Sequence, residues 1–224
     1  MEFVEYADVD MMMLSLAQRI RRELSDALLR RERAVFSVPG GTTPGPLFDL
    51  LAAADLEWDR IDVLPGDERW VPEDHPRSNA GQIRARLLQG KARQASLVSL
   101  WRPVASPADG APLVDADVAP RLPIDVAIVG MGTDWHTASL FPGAATLSQA
   151  MAADAPSVLA ISAPGATEDR ITPSAAALNG AFNLHVLITG AQKRDLIEQA
   201  EGMDPMQAPI ASLLGNATVH WARD

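Results

Sequence analysis

Residues 125–143 read DVAIVGMGTDWHTASLFPG, and the rest of the chain is organised around them. Asp125 to Val129 is a short apolar, β-branched run, which reads as a buried strand. It ends in Gly130-Met131-Gly132 and is followed at once by Asp134, His136, Thr137 and Ser139. Reactive groups exposed where a strand gives way to a glycine-turned loop lie where open α/β sheets bind ligands. A dinucleotide fingerprint is excluded, because the last glycine of GxGxxG is replaced by Trp135.

The same pattern recurs on both sides of this stretch. Ala34 to Val38 is a strand that breaks at Pro39-Gly40-Gly41-Thr42-Thr43-Pro44 before a helix over residues 46–54. Unpaired N–H groups, hydroxyls and a helix N-terminus make an anion cradle of Gly40, Gly41, Thr42 and Thr43; the competing reading is a tight turn in which Thr42 or Thr43 caps the helix. It is not a P-loop, since the spacing and the lysine are missing. Ile61 to Leu64 runs into Asp67-Glu68-Arg69, where Arg69 can fork onto a phosphate or carboxylate with Asp67 or Glu68 fixing its geometry; the competing reading is a surface ion pair worth little. His185 to Thr189 ends in Gly190, which puts Lys193 in the first turn of a helix, a position where a cation is disfavoured unless it meets an anion.

The remaining elements follow by period. Phe3 to Tyr6 reads as an edge strand, with Asp8 or Asp10 capping a helix that carries Leu16, Ile20, Leu24 and Leu28 on one face. Arg30, Arg31 and Arg33 read as the solvated end of that helix. Ser96 to Leu100, Val158 to Ile161 and Thr218 to Trp221 read as further strands, and residues 174–180 and 209–214 as helices. Arg102 to Pro123, rich in Pro, Ala and Asp, reads as a surface loop. His75 fits a turn, and His185 and His220, in strands, fit packing. Strands alternating with helices, each strand ending in glycine, predict one domain over residues 1–224: an α/β, doubly wound, mostly parallel sheet with helices on both faces.

Composition narrows the chemistry. The 224 residues carry a net charge of −10, which argues against nucleic acid or an anionic membrane as partner and leaves a small anionic substrate held by local positive charge. There is no cysteine, so thiolate catalysis and disulfides are excluded. No stretch is apolar for the roughly 20 residues that span a bilayer, and the acidic N-terminus lacks a secretory pattern, so the expected location is cytoplasmic. No GxSxG, HExxH or histidine-cluster spacing is present, hence no metal or cofactor is expected. The simplest engine is a histidine general base acting on water; for His136 the competing reading is a structural histidine that hydrogen-bonds its own loop.

Taken in order, PGGTTP, DERWVPEDHPRSN, GMGTDWHTASLFPG, DRIT and TGAQK resemble the motifs of the 6-phosphogluconolactonases, which share a fold with the glucosamine-6-phosphate isomerases. The likeness covers nearly the whole chain. Asp67-Glu68-Arg69 rather than DEY, and HTASLFP rather than an HIAFNEP-like stretch, side with the lactonase branch. The resemblance implies hydrolysis of 6-phospho-D-glucono-1,5-lactone, the second step of the oxidative pentose phosphate pathway, by a monomer or small homo-oligomer. His136 would deprotonate the attacking water and Asp134 would orient the imidazole or contact the sugar. Arg69, Lys193 and the Gly40 to Thr43 loop would hold the phosphate or the developing oxyanion, with Arg170 of DRIT as a further candidate. An isomerase or a non-catalytic sugar-phosphate binding module are the alternatives. Two positions depart from the family pattern: Pro39 replaces a serine, and Trp135 replaces a glycine. Trp135 is expected to keep an ordinary backbone conformation and to line the pocket rim.

Overall fold

The computed structural model describes residues 1–162 and 167–223; the Ala163-Pro164-Gly165 turn noted in the sequence lies outside them. In chain order the elements are β1 (Glu2–Tyr6), α1 (Val9–Leu28), β2 (Ala34–Val38), α2 (Gly45–Ala52), β3 (Ile61–Pro65), β4 (Glu68–Arg69), α3 (Asn79–Arg86), β5 (Ser96–Leu97), α4 (Pro107–Val118), β6 (Val126–Val129), α5 (Leu147–Met151), β7 (Val158–Ile161), β8 (Arg170–Pro173), α6 (Ala175–Asn179), β9 (Asn183–Thr189), α7 (Ala191–Ala200), α8 (Ala211–Leu214) and β10 (Ala217–Ala222).

Seven strands form one sheet in the order β1-β10-β9-β6-β2-β3-β5, and every pairing in it is parallel. Strands β2, β3, β6 and β10 are buried at every residue, and β2, β3 and β6 accordingly read as mainly apolar runs. Alternate side chains feed two cores. Phe36, Val63, Val126 and Ile128 pack under α1, α2 and α3 on one face; Val35, Leu64, Ala127 and Val129 pack under α4 to α8 on the other. The expected doubly wound architecture with helices on both faces is present.

The chain leaves β2 towards β3 and β5, then returns to lay β6 against the other side of β2 before proceeding to β9 and β10. The strand order therefore reverses between β2 and β6. That switch point leaves a crevice at the carboxyl ends of the two strands, flanked by the Gly40 and Gly130 loops.

Three sequence expectations need correction. The Arg102 to Pro123 segment is not irregular: it contains α4, started by Ser106, whose hydroxyl accepts the Asp109 N–H, with Pro107 in the first turn and Val114 and Val118 buried one turn apart. Val158 to Ile161 is a strand, but it joins a separate three-stranded antiparallel sheet, β4-β8-β7. The arginines after α1 are not all solvated. Arg31 bonds Asp125 and the Pro123 carbonyl, and Arg33 bonds Asp62 and the Asp59 carbonyl, so two of the three pin the strand entrances together. Asp8 supplies the cap of α1 by accepting the Met11 N–H.

Candidate active site

The Gly40 loop, the β3–β4 connection, β8, the Gly130 loop and the start of α7 surround one cleft with two lobes. One lobe is lined by Gly40, Gly41, Thr42, Thr43, Thr189 and Lys193. The other is lined by Asp67, Arg69, Asn79, Gly132, His136 and Arg170. The lobes share Pro39, Gly40, Gly41, Gly130 and Met131, so the residues singled out in the sequence converge on one place. Asp134 reaches the cleft through His136.

His136 Nδ1 lies 2.5 Å from Asp134 Oδ1. A carboxylate at Nδ1 fixes the tautomer with the proton there and leaves Nε2 with its lone pair available. The ring also packs against Phe141, tilted at 35° with centroids 4.4 Å apart, which limits its rotation. Burial raises the Asp134 pKa, but the hydrogen bonding of His136 outweighs it and holds the carboxyl below its ordinary value. Gly132 makes this pair possible, since a Cβ there would sit 2.1 Å from His136 Nδ1 and 2.4 Å from Asp134 Oδ1.

The hydroxyls beside His136 serve the scaffold instead of facing the cleft. Thr137 donates to the Gly130 carbonyl, Ser139 donates to Asp67, and both residues are buried. Thr42 and Thr43 take the opposite course: neither caps α2, whose N-cap is Pro44 with no side-chain bond, and both stay exposed in the Lys193 lobe. Gly41 turns this loop at a φ of 88°.

In the antiparallel pairing of β4 with β8, Arg69 stands directly opposite Arg170. Two guanidinium groups on facing positions repel, and an anion between them would relieve that cost. Arg170 is 9% exposed, and the Nε atoms of both arginines are buried without a partner. Burial works against the Arg170 charge, partly offset by Asp67 at 3.6 Å. The expected pairing of Arg69 with Asp67 or Glu68 is not found. The Arg69 guanidinium donates to the Arg77 carbonyl, Asp67 faces Arg170, Asn79 and Ser139, and Glu68 is buried as the anchor of α3. Four groups donate to its carboxylate, namely the N–H groups of Arg69, Asn79 and Ala80 and the Ser78 hydroxyl; its pKa is nonetheless raised by burial.

Lys193 lies in the first turn of α7, as expected, and donates to the Met131 carbonyl at 2.7 Å. Desolvation lowers its pKa and Asp134 raises it, with a net lowering. Asn79 has no role in the sequence reading. Its amide nitrogen binds Asp67 while its buried Oδ1 lacks a partner beside Gly40. Its placement right after Ser78, the N-cap of α3, was the available signal. His75 is a turn residue, accepting the Arg77 N–H.

Trp135 overturns its expectation. Its φ is 61°, and it does not line either lobe. The Trp135 N–H bonds the Gly132 carbonyl while the Gly132 N–H bonds the His136 carbonyl. This is the bond pattern of a three-residue turn whose last residue is left-handed, a place normally taken by glycine. Tryptophan there costs about 1–3 kcal/mol. The turn dictates the backbone because it aims Asp134 and His136 together, and the indole packs against the main core.

Among the described residues there is no group of metal-ligating side chains and no helix long and apolar enough to cross a membrane. Residues 7–221 match the family model described as glucosamine-6-phosphate isomerases/6-phosphogluconolactonase. The chain is 37% identical to the 6-phosphogluconolactonase of Pseudomonas aeruginosa over 92% of its own length and 88% of the relative's. It is 36% identical to that of Mesorhizobium japonicum over 97% and 93%. The crystal structure of a 6-phosphogluconolactonase from Shewanella baltica superposes with a TM-score of 0.94 at 30% identity, covering 99% of this chain and 97% of that one. Matched along nearly its whole length in sequence and fold, the chain belongs to the glucosamine-6-phosphate isomerase/6-phosphogluconolactonase family.

Proposed function

We propose that the protein hydrolyses 6-phospho-D-glucono-1,5-lactone to 6-phosphogluconate, the second step of the oxidative pentose phosphate pathway, in the cytoplasm and without a metal or cofactor. The observation that carries this reading is the His136–Asp134 pair at 2.5 Å, with Nε2 left available in the lobe that also holds Arg69 and Arg170. Nε2 takes a proton from water as the water oxygen attacks the lactone carbonyl carbon. Collapse of the tetrahedral species breaks the ring C–O bond, and the imidazolium returns the proton to the departing ring oxygen. Asp134 stays anionic and stabilises the imidazolium.

The two lobes divide the remaining work. Lys193, the N–H groups of the Gly40 loop and the exposed hydroxyls of Thr42 and Thr43 suit a phosphate dianion. The Arg69–Arg170 pair, next to His136, suits the developing oxyanion and the carboxylate that follows from it. A positioned base is worth on the order of 10²–10⁴-fold and each oxyanion donor on the order of 10²–10³-fold, enough for an ester that already opens slowly in water.

The test follows loss of freshly generated 6-phosphogluconolactone with and without enzyme. Acceleration above the spontaneous rate supports the reading. Failure to accelerate it, together with ammonia release from glucosamine 6-phosphate, would move the protein to the isomerase branch.

A further inference from the structure

Trp135 does more than occupy a strained position, because three hydrogen bonds from outside the turn converge around it. Its indole Nε1 donates to the Leu196 carbonyl at 2.9 Å, and its own carbonyl accepts the Ile210 N–H at 3.2 Å. Nearby, Lys193 Nζ donates to the Met131 carbonyl at 2.7 Å. Residues 193 and 196 are three apart in α7 and share one helix face. The loop from Met131 to His136 is thus stapled to α7 at two points, one made by a cation of the cleft and one by a residue outside it.

These two staples differ in what a ligand does to them. Lys193 lines the cleft, so an anion bound there competes for its ammonium and draws it from the Met131 carbonyl. The Trp135 indole lies outside both lobes and its bond persists. We infer that Trp135 is a positioning residue, whose indole N–H holds the His136 turn against α7 when substrate has recruited Lys193, so that base and phosphate-binding lysine keep a fixed separation through turnover. The inference rests on the lactonase reading given above. Glycine at 135 would satisfy the turn without strain but would leave the loop tied to α7 by Lys193 alone.

The test compares wild type with Trp135→Phe, which keeps an aromatic ring and loses the donor. A second variant carries benzothienylalanine at 135, which keeps the bicyclic shape with sulfur in place of N–H. Steady-state kinetics on 6-phosphogluconolactone are read alongside amide hydrogen exchange over residues 131–136 in saturating inorganic phosphate. Because small displacements of a catalytic group cost up to about 10²-fold, both variants are expected to lose about tenfold in kcat with KM changed less than about twofold. The 131–136 amides should exchange faster than in wild type when phosphate is bound. Wild-type kcat in the benzothienyl variant, or a fall in kcat without faster exchange, overturns the inference. A wild-type protein that fails to open the lactone would sink the functional reading instead, while the exchange comparison would still decide whether the indole holds the loop.

Discussion

At the scale of single residues, the arginine side of the cleft depends on groups whose partners lie far away in sequence. Asp67 illustrates this. Beside Arg69 in the chain, it is bonded to Asn79 and Ser139 and faces Arg170, more than 100 positions on. Arg170 carries the planar fork that an oxyanion or carboxylate needs, and its unpartnered, buried Nε leaves a donor free. Arg170→Lys retains the charge and loses the fork. Since a charge-assisted hydrogen bond contributes about 1.5–3 kcal/mol, kcat/KM should fall by about 10- to 100-fold with the thermal midpoint little changed. Unaltered kcat/KM would remove Arg170 from the site. Trp135 teaches the opposite lesson, for there the residue's preference was read and the turn's requirement was not. The two bonds closing the turn between Gly132 and His136 demand a left-handed residue, and the demand prevails over the side chain.

At the scale of elements, what was legible follows from burial. Strands β2, β3, β6 and β9 announce themselves because parallel strands covered on both faces are mainly apolar runs ending in glycine or proline turns. The N-terminal helix shows through its Leu16, Ile20, Leu24 spacing, all fully buried. By contrast, α4 hides behind Gly110 and Pro112, which break a helical pattern, and Gly110 is there because a Cβ would strike the Trp70 ring. Of the small sheet only β7 was legible as a strand; its pairing was not, since β4 spans two residues and its partner β8 lies about 100 residues away. The histidines in β9 and β10 are packed, as expected, yet they also form a buried relay. Tyr6 donates to His220, His220 bridges to His185, and His185 reaches Glu23 of α1 at 2.7 Å. One consistent assignment makes both imidazoles neutral and Glu23 anionic, with every bond satisfied.

That relay sets an acid limit on stability. Burial, reinforced by the charge of Arg19, pushes the His220 pKa down to about 3 from 6.5. Burial raises the Glu23 pKa, but the hydrogen bonds from His185 and Arg19 and the charge of Arg19 prevail and lower it. Both folded-state values lie below the unfolded ones, so the unfolded chain binds more protons and stability is lost as pH falls through this range. For His220 the window opens near pH 6.5 and closes near pH 3. At 1.36 kcal/mol per unit, the loss between pH 6.5 and 5 reaches about 2 kcal/mol. His220→Gln keeps an acceptor for Tyr6 and a donor for His185 and does not titrate. Urea midpoints at pH 7 and pH 5 should therefore differ less in this variant than in wild type, and an equal difference would refute the relay's part in acid sensitivity.

At the scale of the molecule, an acidic chain of net charge −10 concentrates Arg69, Arg170 and Lys193 in the crevice at the strand-order reversal. The reversal of strand order between β2 and β6 explains why the Gly40 and Gly130 loops, about 90 residues apart, form opposite walls. The sequence could show that several loops sat at strand ends, but the pairing of β2 with β6 is a non-local fact that no single segment carries. Both hydrophobic cores share the central sheet, so the whole chain is proposed to unfold as one domain. Calorimetry should give a single transition with equal calorimetric and van't Hoff enthalpies; two resolved transitions would contradict that proposal. The central claim is that His136, oriented by Asp134, activates water against a phosphorylated lactone. Its most direct test is the rate at which purified wild type and His136→Ala consume freshly formed 6-phosphogluconolactone, with circular dichroism to confirm that both are folded. The account predicts clear acceleration by wild type and a loss of about 10²–10⁴-fold in the variant; near-normal turnover by folded His136→Ala would contradict it.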